Sequence, residues 1–276
     1  MRRSKTLAKL RAGRPIRMCA LGHFIPPFVR YAAHCGFDCI WLDTEHRAID
    51  QRELQALLAF FHLADIDCMV RAPTLEKTKL YRYLEDGATG VMIPHVSTPE
   101  KAKALVQALK FPPLGDRGYD GAGLDTDFYL QGGAGYTDAA NRETFITVQI
   151  ETVEAVENVD AIAAVEGIDA MFVGPSDLGL RLKHAPEVKW TYDDAINRVA
   201  AAAKKHGKAW GQPASSPEHL QQLISKGAQF LNLGGDFGAI IQLLDKVAVD
   251  MDKVYGETRG PDGVKVNEAP AAPKAY

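Results

Sequence analysis

Two segments of the chain decide its fold: Thr147-Val148-Gln149-Ile150-Glu151 and Met171-Phe172-Val173-Gly174-Pro175-Ser176-Asp177-Leu178. Each is an apolar run with an acid at or just beyond its end, Glu151 in the first and Asp177 in the second. A strand buried on both faces is continuously apolar, and an acid directly after it lies at the rim where strand meets loop. Enzymes with parallel sheets place their chemistry at this rim. The alternative is that each acid simply stabilises the N-terminus of a following helix.

The whole chain repeats this alternation of apolar runs and helix-like segments. Eight short apolar runs stand out: 17–21, 39–43, 68–71, 90–93, 146–151, 170–173, 208–211 and 229–233. Segments with the spacing of an amphipathic helix lie between most of them, among them 51–63, 191–206 and 216–226. Strands alternating with helices form a parallel sheet, and eight such units close into a barrel. We therefore predict an α/β protein, a (β/α)8 TIM barrel over residues 1–256.

Two stretches depart from this alternation. Residues 111–141 form the longest irregular stretch, rich in Gly and Asp, on the connection after the fourth strand. Loops of that length are usually functional or mobile. Residues 257–276 contain Gly, Pro, Ala and Lys with almost no large apolar side chains, which predicts a disordered tail.

Composition and charge exclude several classes of function. The formal net charge is -3 and no basic block is interleaved with aromatic residues, which argues against nucleic acid as a partner. No apolar stretch approaches bilayer length, and the basic segment 1–15 lacks the apolar region of a signal peptide, so we expect no membrane association. The four cysteines form no C-x-x-C pair. We expect a cytoplasmic protein with reduced thiols that acts on a small neutral or acidic molecule.

Polar residues follow most of the predicted strands and should converge on one rim of the barrel. They are Asp43, Glu45, His46, Arg71, His95, Gln149, Glu151, Ser176, Asp177 and Asp236. Arg71 suits an anionic substrate at this position, or alternatively an ion pair with Asp43 or Glu45. His46 is a candidate base beside two acids, although a histidine at a rim is more often structural. The Gly234-Gly235 pair could instead cradle a phosphate.

The two rim acids, Glu151 and Asp177, are candidate metal ligands. Two carboxylates are too few for a closed zinc site, but they suit a hard divalent ion that keeps waters and completes its shell with substrate oxygens. If Asp177 opens a helix, the amides from Gly174 to Asp177 face the same place and offer a nest for a carboxylate.

Six ordered motifs between about residue 5 and about residue 250 resemble one known family. They are Trp41-Leu42-Asp43-Thr44-Glu45-His46, Val70-Arg71-Ala72-Pro73, Asp86-Gly87-Ala88-Thr89-Gly90-Val91-Met92-Ile93-Pro94, Gly115-Asp116-Arg117-Gly118, Val148-Gln149-Ile150-Glu151-Thr152 and Gly167-Ile168-Asp169-Ala170-Met171-Phe172-Val173-Gly174-Pro175-Ser176-Asp177-Leu178. In these motifs the chain resembles the HpcH/HpaI aldolases, which are class II pyruvate-dependent aldolases.

The resemblance implies a TIM barrel of the phosphoenolpyruvate/pyruvate type and a divalent metal ion, Mg²⁺, Mn²⁺ or Co²⁺. The implied reaction is the reversible cleavage of a 4-hydroxy-2-oxo acid to pyruvate, or a close analogue, and an aldehyde. Position by position, Glu151 and Asp177 resemble the metal ligands of the family. His46 resembles the catalytic base, with Asp43 supporting it, and Arg71 resembles the residue that binds the 2-oxo group and steadies the enolate.

The same comparison implies further substrate contacts and an assembly. Gln149 resembles a residue near the substrate oxygens, and Gly174, Pro175, Ser176 and Asp177 resemble the cradle for the substrate carboxylate. Glu85, in Leu84-Glu85-Asp86-Gly87-Ala88, stands where the family has an acid that reaches into a neighbouring subunit's site. Family members are hexamers, trimers of dimers that exchange their last helix, which here would be about 236–254.

The chain departs from close relatives near the aldehyde pocket. Ala20 stands where they have Trp, and His23 follows nearby. Arg47, beside the implied base, could bind an acidic aldehyde or simply face solvent. These positions leave the aldehyde unassigned.

Two other functions are compatible with such a barrel. One is an acyl-CoA lyase of the malyl-CoA or citrate lyase beta type, which would need a basic or aromatic surface for the nucleotide. The other is a non-catalytic barrel that binds a 2-oxo acid. A non-catalytic barrel of this kind is expected to lack at least one of the polar residues at the rim. All four of these are present: His46, Arg71, Glu151 and Asp177.

Overall fold

A computed structural model describes residues 1–256 and the backbone of 258–260 and 263–265. Its main feature is a sheet of eight strands with the order β7-β6-β5-β4-β3-β2-β1-β8. They are β1 (Ile16–Leu21), β2 (Cys39–Asp43), β3 (Asp67–Arg71), β4 (Gly90–Ile93), β5 (Phe145–Ile150), β6 (Ala170–Val173), β7 (Ala209–Gly211) and β8 (Phe230–Gly235). A parallel bridge between Pro213 and Asn232 joins the two ends of the sheet. The predicted (β/α)8 barrel is confirmed, and each strand agrees with its predicted run within two residues.

Helices alternate with the strands along the barrel. They are α1 (Lys5–Arg11), α2 (Pro26–His34), α3 (Gln51–Ala64), α4 (Lys77–Glu85), α5 (Pro99–Leu109), α6 (Tyr136–Glu143), α7 (Val153–Glu157), α8 (Val159–Ala163), α9 (Pro175–Lys183), α10 (Tyr192–His206) and α11 (Pro217–Ser225). The predicted helices 51–63, 191–206 and 216–226 begin within one residue of their predicted starts. Ser216 caps α11 ahead of Pro217, and Thr191 forms a capping box with Asp194 at α10.

Alternation along each strand separates an inner face from an outer face. On the inner face, the ring of Phe230 packs against those of Phe145 and Phe172, with centroids 5.9 and 6.1 Å apart. The intervening residues, such as Ile146 and Leu231, belong to the larger core between sheet and helices. Since side chains alternate with a period of two, every second residue from Phe145 and Phe230 faces the barrel interior.

The stretch 111–141 is less irregular than predicted. It contains a 3₁₀ turn, Leu124–Thr126, and most of α6. A buried cluster anchors it, in which Arg117 Nη2 lies 3.1 Å from Asp125 Oδ2 and the Tyr136 hydroxyl donates to the same oxygen at 2.5 Å. Sequence periodicity missed this order because its anchors are polar side chains rather than an apolar stripe.

The described residues from 234 onward belong to a second unit of the chain. Its helix α12 (Asp236–Tyr255) agrees with the predicted last helix, and two short strands, Thr258–Gly260 and Gly263–Lys265, pair antiparallel. Apart from this backbone, the predicted disordered tail, 257–276, lies outside the described residues. None of the described helices combines the length and the apolar composition that a membrane-spanning segment requires.

Candidate active site

Glu151 lies directly after β5 at the carboxyl end of the barrel and is almost completely buried. Its Oε1 accepts a hydrogen bond from the His95 amide at 2.7 Å and lies 3.1 Å from His95 Nδ1. Its Oε2 accepts a hydrogen bond from Gln149 Nε2 at 3.1 Å. The carboxylate is therefore held in one orientation by groups from two adjacent strand ends.

Gly174 lets this carboxylate lie against the start of the next helix. A Cβ atom at position 174 would come within 2.3 Å of Glu151 Oε2, so a side chain there would displace the carboxylate. Gly174 is also the N-cap of α9, which begins at Pro175. The first-turn amides of Ser176 and Asp177 have no acceptor within the helix, and the positive end of the helix dipole lies at the same place. The buried acid and the start of α9 thus lie side by side at the position where the sequence predicts a cradle for a carboxylate.

Asp177 is the second acid of the site and is more open, with 42% of its side chain exposed. Its Oδ1 accepts a hydrogen bond from Arg181 Nη1 at 2.5 Å, one helical turn further along α9. The same guanidinium group donates to the Glu151 carbonyl oxygen at 3.2 Å. Arg181 thus provides a positive charge beside the two acids, and sequence reasoning missed it because it lies inside a helix rather than at a strand end.

Burial raises the pKa of Glu151, and the negative charges of Asp177 and Glu45 raise it further. The amide and the imidazole of His95 oppose these effects without cancelling them. A buried carboxylate that lacks sufficient positive charge is a ready ligand for a cation.

Oxygen donors at this place fit a hard divalent ion. Besides the two carboxylates, Gln149 Oε1 is buried and has no hydrogen-bond partner among the described residues. Within that part of the chain no three His, Cys, Asp or Glu side chains group as a closed metal site. An open site with two protein carboxylates is what Mg²⁺ and similar ions use when water and substrate complete the shell.

Arg71 ends β3 and is clamped by two acids from the neighbouring strand end. Its Nε and Nη2 donate to Asp43 Oδ1 and Oδ2 at 3.0 and 2.7 Å, and Nε lies 3.1 Å from Glu45 Oε2. The guanidinium carbon also lies 4.7 Å from the centre of the Trp41 ring. The ion pair that the sequence offered as one alternative is present, and it fixes Arg71 at the rim. Binding of an anionic substrate by Arg71 stays a prediction.

The pKa of Asp43 is lowered by this arrangement. Burial raises it, but the hydrogen bonds and charge of Arg71, with the amides of His46 and Glu45, outweigh that effect. Asp43 is thus ionised at neutral pH and acts as a fixed anchor for the guanidinium.

His46 is exposed, with 58% of its side chain accessible. Its Nε2 lies 3.6 Å from Glu45 Oε2, whereas Asp43 contacts only its backbone amide, at 3.3 Å. Support for the imidazole therefore comes from Glu45, and Asp43 orders the backbone that carries it. The sequence placed Glu45 at the rim but did not assign it this role.

Glu85 is not part of this constellation within one chain. It is the last residue of α4, and helices of this fold run opposite to the strands, so α4 ends at the amino-terminal side of the barrel. Burial raises the pKa of Glu85, as do nearby acids, against the lowering effect of Arg117.

Two further residues complete the surroundings of Glu151. His95 has a φ of 53°, a left-handed backbone uncommon for a non-glycine residue, and this turn aims both its amide and its ring at Glu151. Lys101 Nζ donates to the His95 carbonyl oxygen at 2.6 Å. Burial lowers the pKa of Lys101, and the charge of Glu151 partly opposes this. His95 was identifiable as a strand-end residue, but Lys101 carried no such signal.

Comparison with known proteins shows the family to which the chain belongs. The model of the HpcH/HpaI aldolase/citrate lyase family matches residues 18–242, and the chain therefore belongs to that family. A solved HpcH/HpaI aldolase from Desulfitobacterium hafniense superposes with a TM-score of 0.81 at 33% identity, covering 89% of this chain and 95% of that one.

Two curated relatives extend the comparison to activity. The chain is 35% identical over 241 residues to a 5-keto-4-deoxy-D-glucarate aldolase of Klebsiella pneumoniae subsp. pneumoniae, covering 83% of this chain and 89% of the relative. It is also 35% identical over 236 residues to a hydroxypyruvate/pyruvate aldolase of Deinococcus radiodurans, covering 82% of each. The predicted aldolase, a carbon–carbon lyase of this family, is confirmed.

Proposed function

We propose that this aldolase depends on a divalent metal ion and cleaves 4-hydroxy-2-oxo acids to pyruvate, or a close analogue, and an aldehyde. The observation that carries the proposal is the Glu151 carboxylate packed against Gly174 at the start of α9, with Asp177 beside it. The family is generally dependent on a divalent metal. Names of relatives point to sugar-acid substrates and to pyruvate or hydroxypyruvate.

In this proposal Glu151 and Asp177 hold the cation, which supplies Lewis-acid stabilisation of negative charge on the substrate 2-oxo oxygen. The amides of Ser176 and Asp177 bind the substrate C1 carboxylate, as helix N-termini do for anions. Arg71 presents its planar guanidinium group to the 2-oxo oxygen, and its clamp by Asp43 keeps that group oriented before the substrate binds.

His46 takes the proton of the C4 hydroxyl in cleavage, with Glu45 stabilising the imidazolium. As the C4–O bond becomes a carbonyl, the C3–C4 bond breaks and its electron pair forms the enolate of the 2-oxo acid. Arg71 stabilises the enolate oxygen, and protonation at C3 completes the product. Aldol addition runs the same steps in reverse.

The test is release of pyruvate or hydroxypyruvate from a panel of 4-hydroxy-2-oxo acids, followed by coupled reduction of the 2-oxo acid. We expect turnover that is lost in excess chelator and restored by Mg²⁺, Mn²⁺ or Co²⁺. Full turnover by protein shown by elemental analysis to be metal-free would contradict the metal-dependent mechanism.

A lysine near the site allows a separate check on mechanism. Lys101 has the lowered pKa that Schiff-base lysines share, but its Nζ is hydrogen-bonded to the His95 carbonyl. We expect borohydride treatment in the presence of pyruvate to leave activity unchanged and to add no mass to the chain. Covalent pyruvate on Lys101, seen by mass spectrometry, would instead indicate a Schiff-base aldolase.

We further propose that the chain assembles as a homohexamer, a trimer of dimers that exchange α12. The support within residues 234–276 is an exposed apolar surface along a helix of 20 residues. Its large exposed side chains include Ile240, Ile241, Leu243, Leu244, Val247 and Val254. Such a surface is unusual for a helix that faces only water, and a second copy would bury it.

Glu85 gives this assembly a catalytic consequence, because in the proposal it completes a neighbouring subunit's site. We expect Glu85→Ala and His46→Ala each to be nearly inactive but oligomeric. Mixing them should restore part of the activity, since some interfaces then pair an intact His46 with an intact Glu85. Subunit exchange is verified by mass spectrometry, and exchange without recovery would place the complete site within one chain.

A further inference from the structure

Four polar atoms on the inner face of the barrel have no hydrogen-bond partner among the described residues. They are Trp41 Nε1, Thr147 Oγ1, Gln149 Oε1 and Asn232 Nδ2, and all four are buried. A buried donor or acceptor without a partner is unfavourable by an amount comparable with a lost hydrogen bond, so native proteins contain few. Their concentration inside one barrel indicates a place where partners come from a bound molecule.

Asn232 is a member of this group that has no role in the proposed mechanism and carries a side-chain donor. It lies on β8, two residues after Phe230, whose ring packs inside the barrel, so its side chain faces the interior one step closer to the carboxyl end. Only 5% of the residue is exposed. Its backbone is paired, because its carbonyl oxygen accepts the Ala214 amide at 2.8 Å, but its side-chain Nδ2 is not.

The strand register places Asn232 at the level of the candidate site. Asn232 bridges to Pro213, and two residues earlier Gly211 pairs with Phe172, which pairs with Gln149. Counting two residues further along each of these strands leads from Gly211 to Pro213, from Phe172 to Gly174 and from Gln149 to Glu151. Asn232 therefore belongs to the strand-end level at which the Glu151 carboxylate and Gly174 meet.

We infer that Asn232 is a specificity-determining residue whose Nδ2 donates a hydrogen bond to an alcohol hydroxyl of the substrate. This inference rests on the proposed function. Two parts of the reacting pair can carry that hydroxyl, namely C3 of the 2-oxo acid, as in hydroxypyruvate, and the carbon beside the aldehyde group. A site with a buried donor discriminates strongly against an analogue that lacks the hydroxyl, because the donor then stays unpaired.

The test is Asn232→Leu, which keeps the shape of the side chain and removes the donor. Aldol addition is measured for two matched pairs, hydroxypyruvate against pyruvate with one aldehyde, and glycolaldehyde against acetaldehyde with one 2-oxo acid. We expect the preference in kcat/KM for the hydroxylated member to fall roughly tenfold in one pair, which then identifies the source of the hydroxyl. Unchanged preference in both pairs would overturn the inference.

Gln212 offers a matched control, because it is an equally buried amide near the same strand ends that faces outward. The Tyr192 hydroxyl donates to its Oε1 at 2.7 Å, and its Nε2 lies 3.1 Å from His219 Nε2. Gln212→Met should lower Tm without altering either substrate preference, whereas Asn232→Leu should keep Tm and alter one preference. A loss of Tm in Asn232→Leu with both preferences intact would show a purely structural amide.

A binding measurement separates this inference from the proposed function. Calorimetric titration with hydroxypyruvate and with pyruvate, in the presence of Mg²⁺, needs no turnover. If wild-type protein catalyses no addition, the proposed function fails. A preference for hydroxypyruvate over pyruvate, or in a parallel titration for glycolaldehyde over acetaldehyde, that Asn232→Leu lowers still supports the inference. The absence of both preferences, with no catalysis, overturns it.

Discussion

Glu151→Gln should abolish aldol cleavage while leaving the fold intact or more stable. The substitution removes the charge that we propose binds the cation, so turnover should fall by at least about a thousandfold. Burial raises the pKa of Glu151 in the folded protein. A raised folded-state pKa contributes stability below the unfolded-state pKa, and that stability is lost as the pH rises through the folded-state value. At neutral pH without metal, the neutral amide should therefore be tolerated at least as well as the carboxylate.

Thermal unfolding gives the readout and its control. Added Mg²⁺ should raise the Tm of wild-type protein, since a ligand at a hundred times its Kd stabilises by about 2.7 kcal/mol. The Tm of Glu151→Gln should not respond. A Tm of Glu151→Gln that rises with Mg²⁺ as in wild type would refute Glu151 as a ligand. Loss of the fold in Glu151→Gln would contradict the expected tolerance of the neutral amide.

The second large effect separates the enolate-stabilising group from the base. Arg71→Lys keeps the charge but loses the planar pair of donors that Asp43 now fixes at 3.0 and 2.7 Å. We expect it to depress both cleavage and oxaloacetate decarboxylation by about a hundredfold or more, because both reactions pass through pyruvate enolate. His46→Ala should impair cleavage by a similar factor and decarboxylation far less, since decarboxylation removes no hydroxyl proton.

The ratio of the two activities is the decisive quantity. Each variant is assayed for both reactions in one metal-containing buffer, with circular dichroism as the control for folding. Equal losses in His46→Ala would contradict its role as the base. Decarboxylation left intact in Arg71→Lys would remove Arg71 from the enolate site.

The barrel was predictable because its strands are buried on both faces. The run Met171 to Val173 is apolar throughout, Val148 and Ile150 supply the apolar positions of the run before it, and the acids that follow these runs mark one rim. The carboxyl ends of parallel strands lie at the same edge of the sheet, however the connecting helices pack. The sequence therefore places Asp43, Arg71 and Glu151 at one rim without any knowledge of the contacts between them.

The rest depended on side-chain directions that periodicity does not encode. Arg181 and Lys101 reach the site from within helices, one turn or more from a strand end. The turn at His95 depends on a left-handed backbone at a non-glycine residue, which sequence patterns do not predict. In the sequence, Asn232 lies within the predicted apolar run 229–233. Only the alternation of side chains along β8 shows that it faces the barrel interior.

Exchange of the pyruvate methyl protons for deuterium tests the central claim most directly, because enolate formation requires neither the aldehyde nor His46 as base for the C4 hydroxyl. Proton NMR in D₂O follows the methyl signal of pyruvate with enzyme and Mg²⁺. The account predicts that wild-type protein removes this signal, and that a chelator, Glu151→Gln or Arg71→Lys each prevents its loss. Exchange that continues undiminished in chelator, or its absence with wild-type protein and Mg²⁺, would contradict an enolate site at Glu151, Asp177 and Arg71.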